Sequence, residues 1–208
     1  MTPTAGLLLA AGRSSRLGSP KQLLPFGRST LLGHVLLQAL NSDLDRVVLI
    51  LGHQTRRIKD SLGRKTEHPK LEIIENRNYA RGISSSITAG LNAVEAEFER
   101  VMILLADMPQ VTTRLINHLL SSTAQTHSPL CAVKVSHGRS HPVIIHRQFY
   151  DELRLLQGDV GARHLFLKHP DLVRLIEPIS PYDGGDIDTI ADYLHFKEAH
   201  EDEGPKTA

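Results

Sequence analysis

The sequence is poor in cysteine, in aromatic residues and in excess charge of either sign. A single cysteine, Cys131, excludes an intramolecular disulfide and a zinc site built on several cysteines, which is typical of a reducing compartment. Aromatic residues make up only 4% of the chain, so stacking platforms for single-stranded nucleic acid are poorly supplied. With 24 Lys and Arg against 23 Asp and Glu, the net charge of +1 offers no general attraction to nucleic acid or anionic lipid.

A long hydrophobic run is also missing. The longest one, from Gly6 to Gly12, is far short of the roughly 20 residues that span a bilayer. Basic residues follow this run and none precedes it, unlike the layout of a signal peptide. We therefore expect a cytoplasmic protein with neither a membrane nor a nucleic acid as its partner.

The pattern of apolar residues predicts an α/β fold. Short apolar runs alternate with helical stripes, which is typical of a single domain with a mostly parallel sheet and helices on both faces. The predicted strands are 5–10, 46–51, 71–75, 100–106, 130–135, 142–146 and 172–176. Apolar stripes predict helices at 30–40, 83–98, 113–122, 147–156 and 162–167, and a last one after Ile187.

The regular alternation of strands and helices stops after Asp107. We therefore expect the domain, 1–196, to consist of a nucleotide-binding half, 1–110, and an acceptor-binding half, 111–196. A polar tail, 197–208, follows and is expected to fray.

A glycine-containing loop, LAAGRSSRLGSPK at 9–21, follows the first predicted strand. Its small residues let backbone N–H groups approach an anion, and Arg16 and Lys21 supply the positive charge that a triphosphate needs. The residue order matches neither GxxxxGK[ST] nor GxGxxG, which argues against a P-loop ATPase and a dinucleotide dehydrogenase. The alternative is an ordinary glycine-rich turn with solvated arginines.

Two further segments carry polar residues at strand or helix ends. Asp107 follows a strongly apolar strand, where α/β sheets bind ligands, and its carboxylate suits Mg²⁺; a simple turn before Pro109 is the alternative. The hydroxyls of residues 84–86, after Gly82, can cap a helix or bind a nucleotide. Near the end of the chain, DGGDIDT at 183–189 is acidic, and Asp188 or Thr189 fits a helix N-cap there, with Asp192 completing a capping box.

These segments resemble motifs of the MobA-like nucleotidyltransferases. Residues 9–24 resemble the opening motif LxAGxSxRxGxxKxLL, residues 105–109 the element LADMP, and residues 186–193 the element DIDTPEDL. The resemblance implies a Rossmann-like fold related to GT-A glycosyltransferases, which holds a nucleoside triphosphate and Mg²⁺ or Mn²⁺. It implies that Asp107 and Asp188 bind the metal and that Lys21, Arg16 and Asp107 are catalytic. It also implies a nucleotide-binding set of Leu9, Ala10, Ala11, Gly12, Lys21, Gly82, Ser85, Ser86 and Asp107.

Segments in the second half are similar to one branch of this family, the molybdenum cofactor cytidylyltransferases called MocA. They are HGRSHPVII at 137–145 and LQGDVGAR at 156–163, and they imply an acceptor site of Arg139, His141, Asp159 and Arg163. A surface ion pair or a loop hydrogen bond is the alternative role of each. Ala11 gives LAAG instead of LAGG, which resembles the cytidylyl branch more than the guanylyl branch by one methyl group near the base.

The resemblance implies transfer of CMP from CTP to the phosphate of molybdopterin or molybdenum cofactor, with release of pyrophosphate. A molybdoenzyme is a candidate partner. The alternatives are a guanylyltransferase or another transferase that joins a nucleotide to a phosphate. A non-catalytic protein that binds and delivers the cofactor, and a plain nucleotide-binding regulator, are also open.

Overall fold

The structure is a computed structural model that describes residues 2–14 and 18–201, the last three as backbone only. Its strands are β1 Thr4–Leu9, β2 Pro25–Phe26, β3 Ser29–Thr30, β4 Arg46–Leu51, β5 Leu71–Glu75, β6 Arg100–Leu105, β7 Leu130–Val135, β8 Gly138–His146 and β9 Val173–Ile176. Its α-helices are α1 Leu31–Leu40, α2 Thr55–Leu62, α3 Ile83–Val94, α4 Thr113–Thr126, α5 Tyr150–Arg154, α6 Arg163–Lys168 and α7 Ile190–Glu201.

A seven-stranded sheet in the order β5-β4-β1-β6-β8-β7-β9 forms the centre of the domain. Its neighbours pair in parallel except around β8, which is antiparallel to both β6 and β7. Only two residues, Ser136 and His137, join β7 to β8, and so short a connection forces the chain to reverse. The predicted single-domain α/β fold with a mostly parallel sheet is confirmed.

Both faces of the sheet are buried, which explains the continuous apolar strands. Because successive side chains point to opposite faces, Leu8 packs into the core cluster under α1, α2 and α4, whereas Leu7 and Leu9 pack under α3, α5 and α6. A third, small cluster joins α7 to the β2–β3 hairpin through Phe26, Leu31, Ile187 and Phe196. This last cluster brings the segment before α7 to the edge of the sheet.

The structure differs from the predicted elements in a few places. Helix α2 was not predicted, because it buries only Ile58 and Leu62. The β2–β3 hairpin was not predicted either, and its strands have only two residues each. The predicted helix 83–98 ends at Val94, and α4 continues to Thr126. Helix α7 extends to Glu201, into the tail that was expected to fray. Within the described residues, no helix is long and apolar enough to cross a membrane.

Truncation of a side chain in the doubly covered sheet should be costly. Leu7 is fully buried, so we expect Leu7→Ala to lower the free energy of unfolding by about 2 to 5 kcal/mol. The matched change Leu155→Ala, at a side chain that is 77% exposed, should stay within about 0.5 kcal/mol of the unmodified protein. Urea unfolding of the three proteins measures both values, and equal losses would contradict this packing.

Candidate functional site

Several chain segments meet at one edge of the sheet. The carboxyl ends of β1 and β6 lie side by side because these strands are parallel. Strand β8 runs the other way, so its amino end lies at the same edge. Strands β6 and β8 pair as far as Ile103 and Val143, so that β6 beyond Ile103 leads to Asp107 and β8 before Val143 includes His141. Residues distant in sequence therefore converge after β1, after β6 and at the start of β8.

Gln22 binds the first part of the loop after β1. Its side chain is only 2% exposed, and Nε2 donates hydrogen bonds to the carbonyl oxygens of Ala10 and Gly12 over 2.9 and 3.0 Å. The Ser14 hydroxyl accepts a hydrogen bond from the Lys21 backbone N–H. The sequence analysis did not predict a role for Gln22. The feature that could have indicated one is an amide side chain between Lys21 and two leucines. Arg16, predicted to be catalytic, lies outside the described residues.

Lys21 joins two carboxylates from distant parts of the chain. Its Nζ lies 2.5 Å from Asp107 Oδ2 and 3.0 Å from Asp188 Oδ1, and it donates to the Ile187 carbonyl over 3.2 Å. Burial by itself lowers the pKa of Lys21, but the negative charges of Asp107 and Asp188 outweigh it and raise the pKa above its ordinary value. The ammonium group therefore stays charged beside the two aspartates.

In the segment before α7, one residue caps the helix and another contacts Lys21. The Thr189 hydroxyl accepts from the Asp192 N–H over 3.2 Å, and an Asp192 carboxylate oxygen accepts from the Thr189 N–H over 2.7 Å. This is a capping box, so the capping role considered for Asp188 falls to Thr189. The Asp188 side chain turns to Lys21 instead.

Three aspartates form a cluster that could hold a metal ion. Asp107, Asp186 and Asp188 each offer a carboxylate oxygen, and these oxygens lie within 4.8 Å of one another. Asp107 Oδ1 is buried and has no hydrogen-bond partner among the described residues. Burial, then the charges of Asp107 and Asp188, raise the pKa of Asp186.

The donor set of this cluster fits a divalent cation. Hard cations such as Mg²⁺ and Mn²⁺ prefer oxygen ligands, and a cation would satisfy the unpartnered Asp107 oxygen. Asp186 was missed as a ligand candidate; its signal was the alternation in Asp186-Ile187-Asp188, which buries Ile187 and turns both carboxylates outward from it.

Two cavities meet at this cluster. One, of about 500 Å³, is lined by the loop after β1 and by Asp107, and the other, of about 540 Å³, is lined by the start of β8 and by Asp186. Leu105 lines both. We call them the loop cavity and the β8 cavity. The aspartate cluster therefore stands between two spaces that could each hold a ligand.

Most of the predicted nucleotide-binding residues line the loop cavity. They are Leu9, Ala10, Ala11, Gly12, Lys21, Gly82, Ser86 and Asp107. Ser85 instead lines a neighbouring hollow, because its hydroxyl donates to the Gly82 carbonyl over 2.8 Å. The amide of buried Asn76 donates to Ser85 Oγ and Ser86 Oγ over 2.9 and 3.0 Å and orients both hydroxyls.

Tyr79 was not anticipated as part of the loop cavity. Its ring lies so close to Gly52 that a β-carbon on this glycine would lie 2.7 Å from Tyr79 Cγ and 2.9 Å from Ala11 Cβ. Arg13 lies over the same ring, 5.4 Å from its centroid. An aromatic side chain next to a predicted ligand loop was the available signal. Tyr79 thus adds a flat, partly apolar wall to the cavity.

Three of the four predicted acceptor residues, Arg139, His141 and Arg163, line the β8 cavity, and the fourth, Asp159, lines the loop cavity. Arg139 lies over the ring of Phe166, 5.7 Å from its centroid. Burial lowers the pKa of His141 to about 4, against the opposing attraction of Asp107, so its imidazole is neutral near pH 7. The Tyr182 hydroxyl donates to the His141 carbonyl over 2.5 Å.

Comparison with known proteins agrees with this geometry. Residues 6–173 match the MobA-like NTP transferase domain. The chain is 30% identical over 193 residues to a protein named nicotine blue oxidoreductase from Paenarthrobacter nicotinovorans, covering 89% of this chain and 92% of that protein. It is 31% identical over 144 residues to a probable molybdenum cofactor guanylyltransferase from Bacillus cereus (strain AH187), covering 69% and 68% of the two chains.

Solved structures are similar over nearly the whole chain. A homologue of Mycobacterium tuberculosis Rv0371c, from Mycobacterium sp. strain JC1, has a TM-score of 0.83 at 26% identity, covering 97% of this chain and 98% of that one. Rv0371c itself, from Mycobacterium tuberculosis H37Rv in complex with manganese, has a TM-score of 0.79 at 26% identity, covering 95% and 100%.

The fold and the site define a nucleotidyltransferase that acts on a nucleoside triphosphate. The chain belongs to the MobA-like NTP transferase family, since the family's domain covers most of its length. The family expected from the opening motif is therefore confirmed.

The depressed pKa of His141 predicts a loss of stability in mild acid. In the folded state the ring resists protonation down to about pH 4, whereas the unfolded chain takes up a proton below pH 6.5. His141 therefore contributes stability above its unfolded pKa and loses it as the pH falls. From about pH 7 to about pH 5, the free energy of unfolding of His141→Gln should decline less than that of the unmodified protein.

Urea unfolding across this pH range measures the difference. The control is His164→Gln, the same change at an exposed histidine that lines neither cavity. Parallel curves for His141→Gln and the unmodified protein would show that the burial of His141 does not shift its titration.

Proposed function

We propose that the protein transfers CMP from CTP to the terminal phosphate of molybdopterin or molybdenum cofactor and releases pyrophosphate. One observation carries this proposal. The cluster of Lys21, Asp107, Asp186 and Asp188 lies at the junction of two cavities, so a group held in one can react with a group held in the other. This arrangement suits a reaction that joins two substrates through a phosphate group.

The loop cavity, in the proposed nucleotide-binding half 1–110, would hold the nucleotide. The loop from Gly12 onward would lie against the phosphates, and Lys21 would neutralise their charge. The ion pairs with Asp107 and Asp188 hold the ammonium group of Lys21 beside this cavity, where the phosphates would lie. Arg16, outside the described residues, is proposed to add a second positive charge.

The β8 cavity, in the proposed acceptor-binding half 111–196, would hold the acceptor. Two guanidinium groups, of Arg139 and Arg163, line it together with His137 and His141. The planar fork of arginine suits a phosphate, and the space of about 540 Å³ is of the size that binds a small organic molecule. A phosphorylated acceptor of the size of molybdopterin agrees with both features.

The proposed chemistry is a displacement at phosphorus. An oxygen of the acceptor phosphate attacks the α-phosphorus of the nucleotide in line, the bond from this phosphorus to the bridging oxygen breaks, and pyrophosphate leaves with the bonding electrons. The attacking phosphate is already an anion near neutral pH, so no side chain has to remove a proton. The role of Lys21 is then to neutralise charge, and that of the cavity walls is alignment.

The metal would be held by Asp107 and Asp188, with Asp186 as a third ligand. When bound, a divalent cation supplies positive charge to the reacting phosphates. Mg²⁺ is proposed, and Mn²⁺ is the alternative ion supported by the manganese complex of Rv0371c. A molybdoenzyme that receives the product remains a proposed partner.

Two observations bear on the identity of the base. Ala11 lines the loop cavity beside Tyr79, and its methyl group narrows the space relative to a glycine, which supports the smaller base of CTP. The names of relatives such as the Bacillus cereus protein favour a second candidate, transfer of GMP from GTP. The redox reaction in the name of the relative from Paenarthrobacter nicotinovorans is not carried over, because the residues at this site favour phosphate chemistry.

Pyrophosphate release tests the proposal. The protein is incubated with Mg²⁺ and molybdenum cofactor and with CTP, GTP or ATP in separate reactions, and reactions without cofactor serve as controls. Cofactor-dependent release with CTP alone supports CMP transfer, and release with GTP alone selects the second candidate. No release with any nucleotide, despite nucleotide binding, would contradict transfer to this acceptor and favour a carrier of the cofactor.

Asp107→Asn tests the aspartate cluster. The amide keeps the size of the side chain but removes the charge that faces Lys21 and the metal, so we expect a loss of more than about 100-fold in turnover. Circular dichroism should show an unchanged fold. Asp171→Asn, the same change at an exposed aspartate outside both cavities, should retain full turnover. Substantial turnover by Asp107→Asn would rule out its metal-binding role.

A further inference from the structure

Asp159 is a carboxylate in a cavity proposed to receive a polyanion. The charged side chains that line the loop cavity in the described chain are Arg13, Lys21, Asp107 and Asp159. Lys21 neutralises Asp107, whereas Asp159 forms no ion pair within residues 2–14 and 18–198. A free negative charge repels phosphates, so Asp159 should face a part of the nucleotide that carries no negative charge.

The position of Asp159 is built into the backbone. Gly82 has a φ of 97°, and a β-carbon on it would lie 2.2 Å from the Gly158 carbonyl carbon and 2.7 Å from the Asp159 nitrogen. Only glycine permits this crossing of two chain segments. Ser84 secures it, since its backbone N–H and its hydroxyl both donate to the Gly158 carbonyl, over 3.2 and 2.9 Å.

This crossing carries the segment between α5 and α6 to the loop cavity. The anchor at Gly158 precedes Asp159 by one residue, and four residues further on Arg163 lines the β8 cavity. One short segment therefore supplies a carboxylate to one cavity and a guanidinium to the other. The guanidinium group of Arg163 suits a phosphate in the β8 cavity. The carboxylate of Asp159 suits a hydrogen-bond donor in the loop cavity.

We infer that Asp159 recognises the ribose hydroxyls of the nucleotide in the loop cavity and so selects ribonucleotides over deoxyribonucleotides. An ionised carboxylate only accepts hydrogen bonds, and two adjacent hydroxyls can donate to its two oxygens. Asp159 is exposed at the rim of the cavity, whereas Ala11 and Ser86 form a buried wall. A flat base would fit this wall, and the sugar, which lies between base and phosphates, would then be near the exposed Asp159.

This inference rests on the proposed nucleotide site, and a binding measurement tests it without the transfer reaction. Calorimetry with Mg²⁺ compares the nucleoside triphosphate that the protein binds most tightly with its 2′-deoxy and 2′,3′-dideoxy forms. The unmodified protein should bind the ribonucleotide at least about tenfold more tightly than the dideoxy form. In Asp159→Ala this preference should fall to within about twofold, through weaker binding of the ribonucleotide alone.

The control is Asp171→Ala, which removes an exposed aspartate outside both cavities and should keep the full sugar preference. An Asp159→Ala variant that retains the preference would overturn the inference and leave the proposed function standing. A variant that loses preference among bases instead of sugars would also overturn it, in favour of contact with the base. If the unmodified protein binds no nucleoside triphosphate, the proposed function itself fails and this inference falls with it.

Discussion

The attraction between Lys21 and the carboxylates of Asp107 and Asp188 holds the site together. Lys21 follows the loop after β1, Asp107 follows β6, and Asp188 precedes α7 near the end of the chain. Without a positive charge among them, the three clustered aspartates would repel one another, and nothing would offset the free-energy cost of their partial desolvation. The ammonium group is therefore the counter-ion that lets these carboxylates lie close together.

The reversed strand β8 gives the site its second side. In a sheet with parallel strands throughout, the residues at the amino end of a strand lie at the edge opposite to the ligands. Because β8 is antiparallel to β6, its amino end brings Arg139 and His141 to the same edge as Asp107. One change in strand direction thus adds the β8 cavity beside the loop cavity.

Buried polar side chains shape the loop cavity. Gln22 binds the carbonyl groups of the loop after β1, and Asn76 orients the two serines at the start of α3. Each satisfies several hydrogen-bonding groups at once, which makes the surrounding backbone rigid. Neither carries a charge or belongs to a catalytic residue type, so neither stands out as a functional residue in the sequence.

Apolar periodicity and local motifs predicted the strands of the large sheet, the family and many of the residues that line the loop cavity, because both kinds of pattern depend on neighbouring residues. The polar helix α2 was not predicted, since its two buried residues are too few to form an apolar stripe. Two positions could be found only in the three-dimensional structure: that of Asp186 as a third clustered carboxylate, and that of Asp159 in the loop cavity instead of the β8 cavity. Their positions depend on the packing of α7 on the β2–β3 hairpin and on the crossing of Gly82 with Gly158, contacts between residues far apart in the chain that no local pattern encodes.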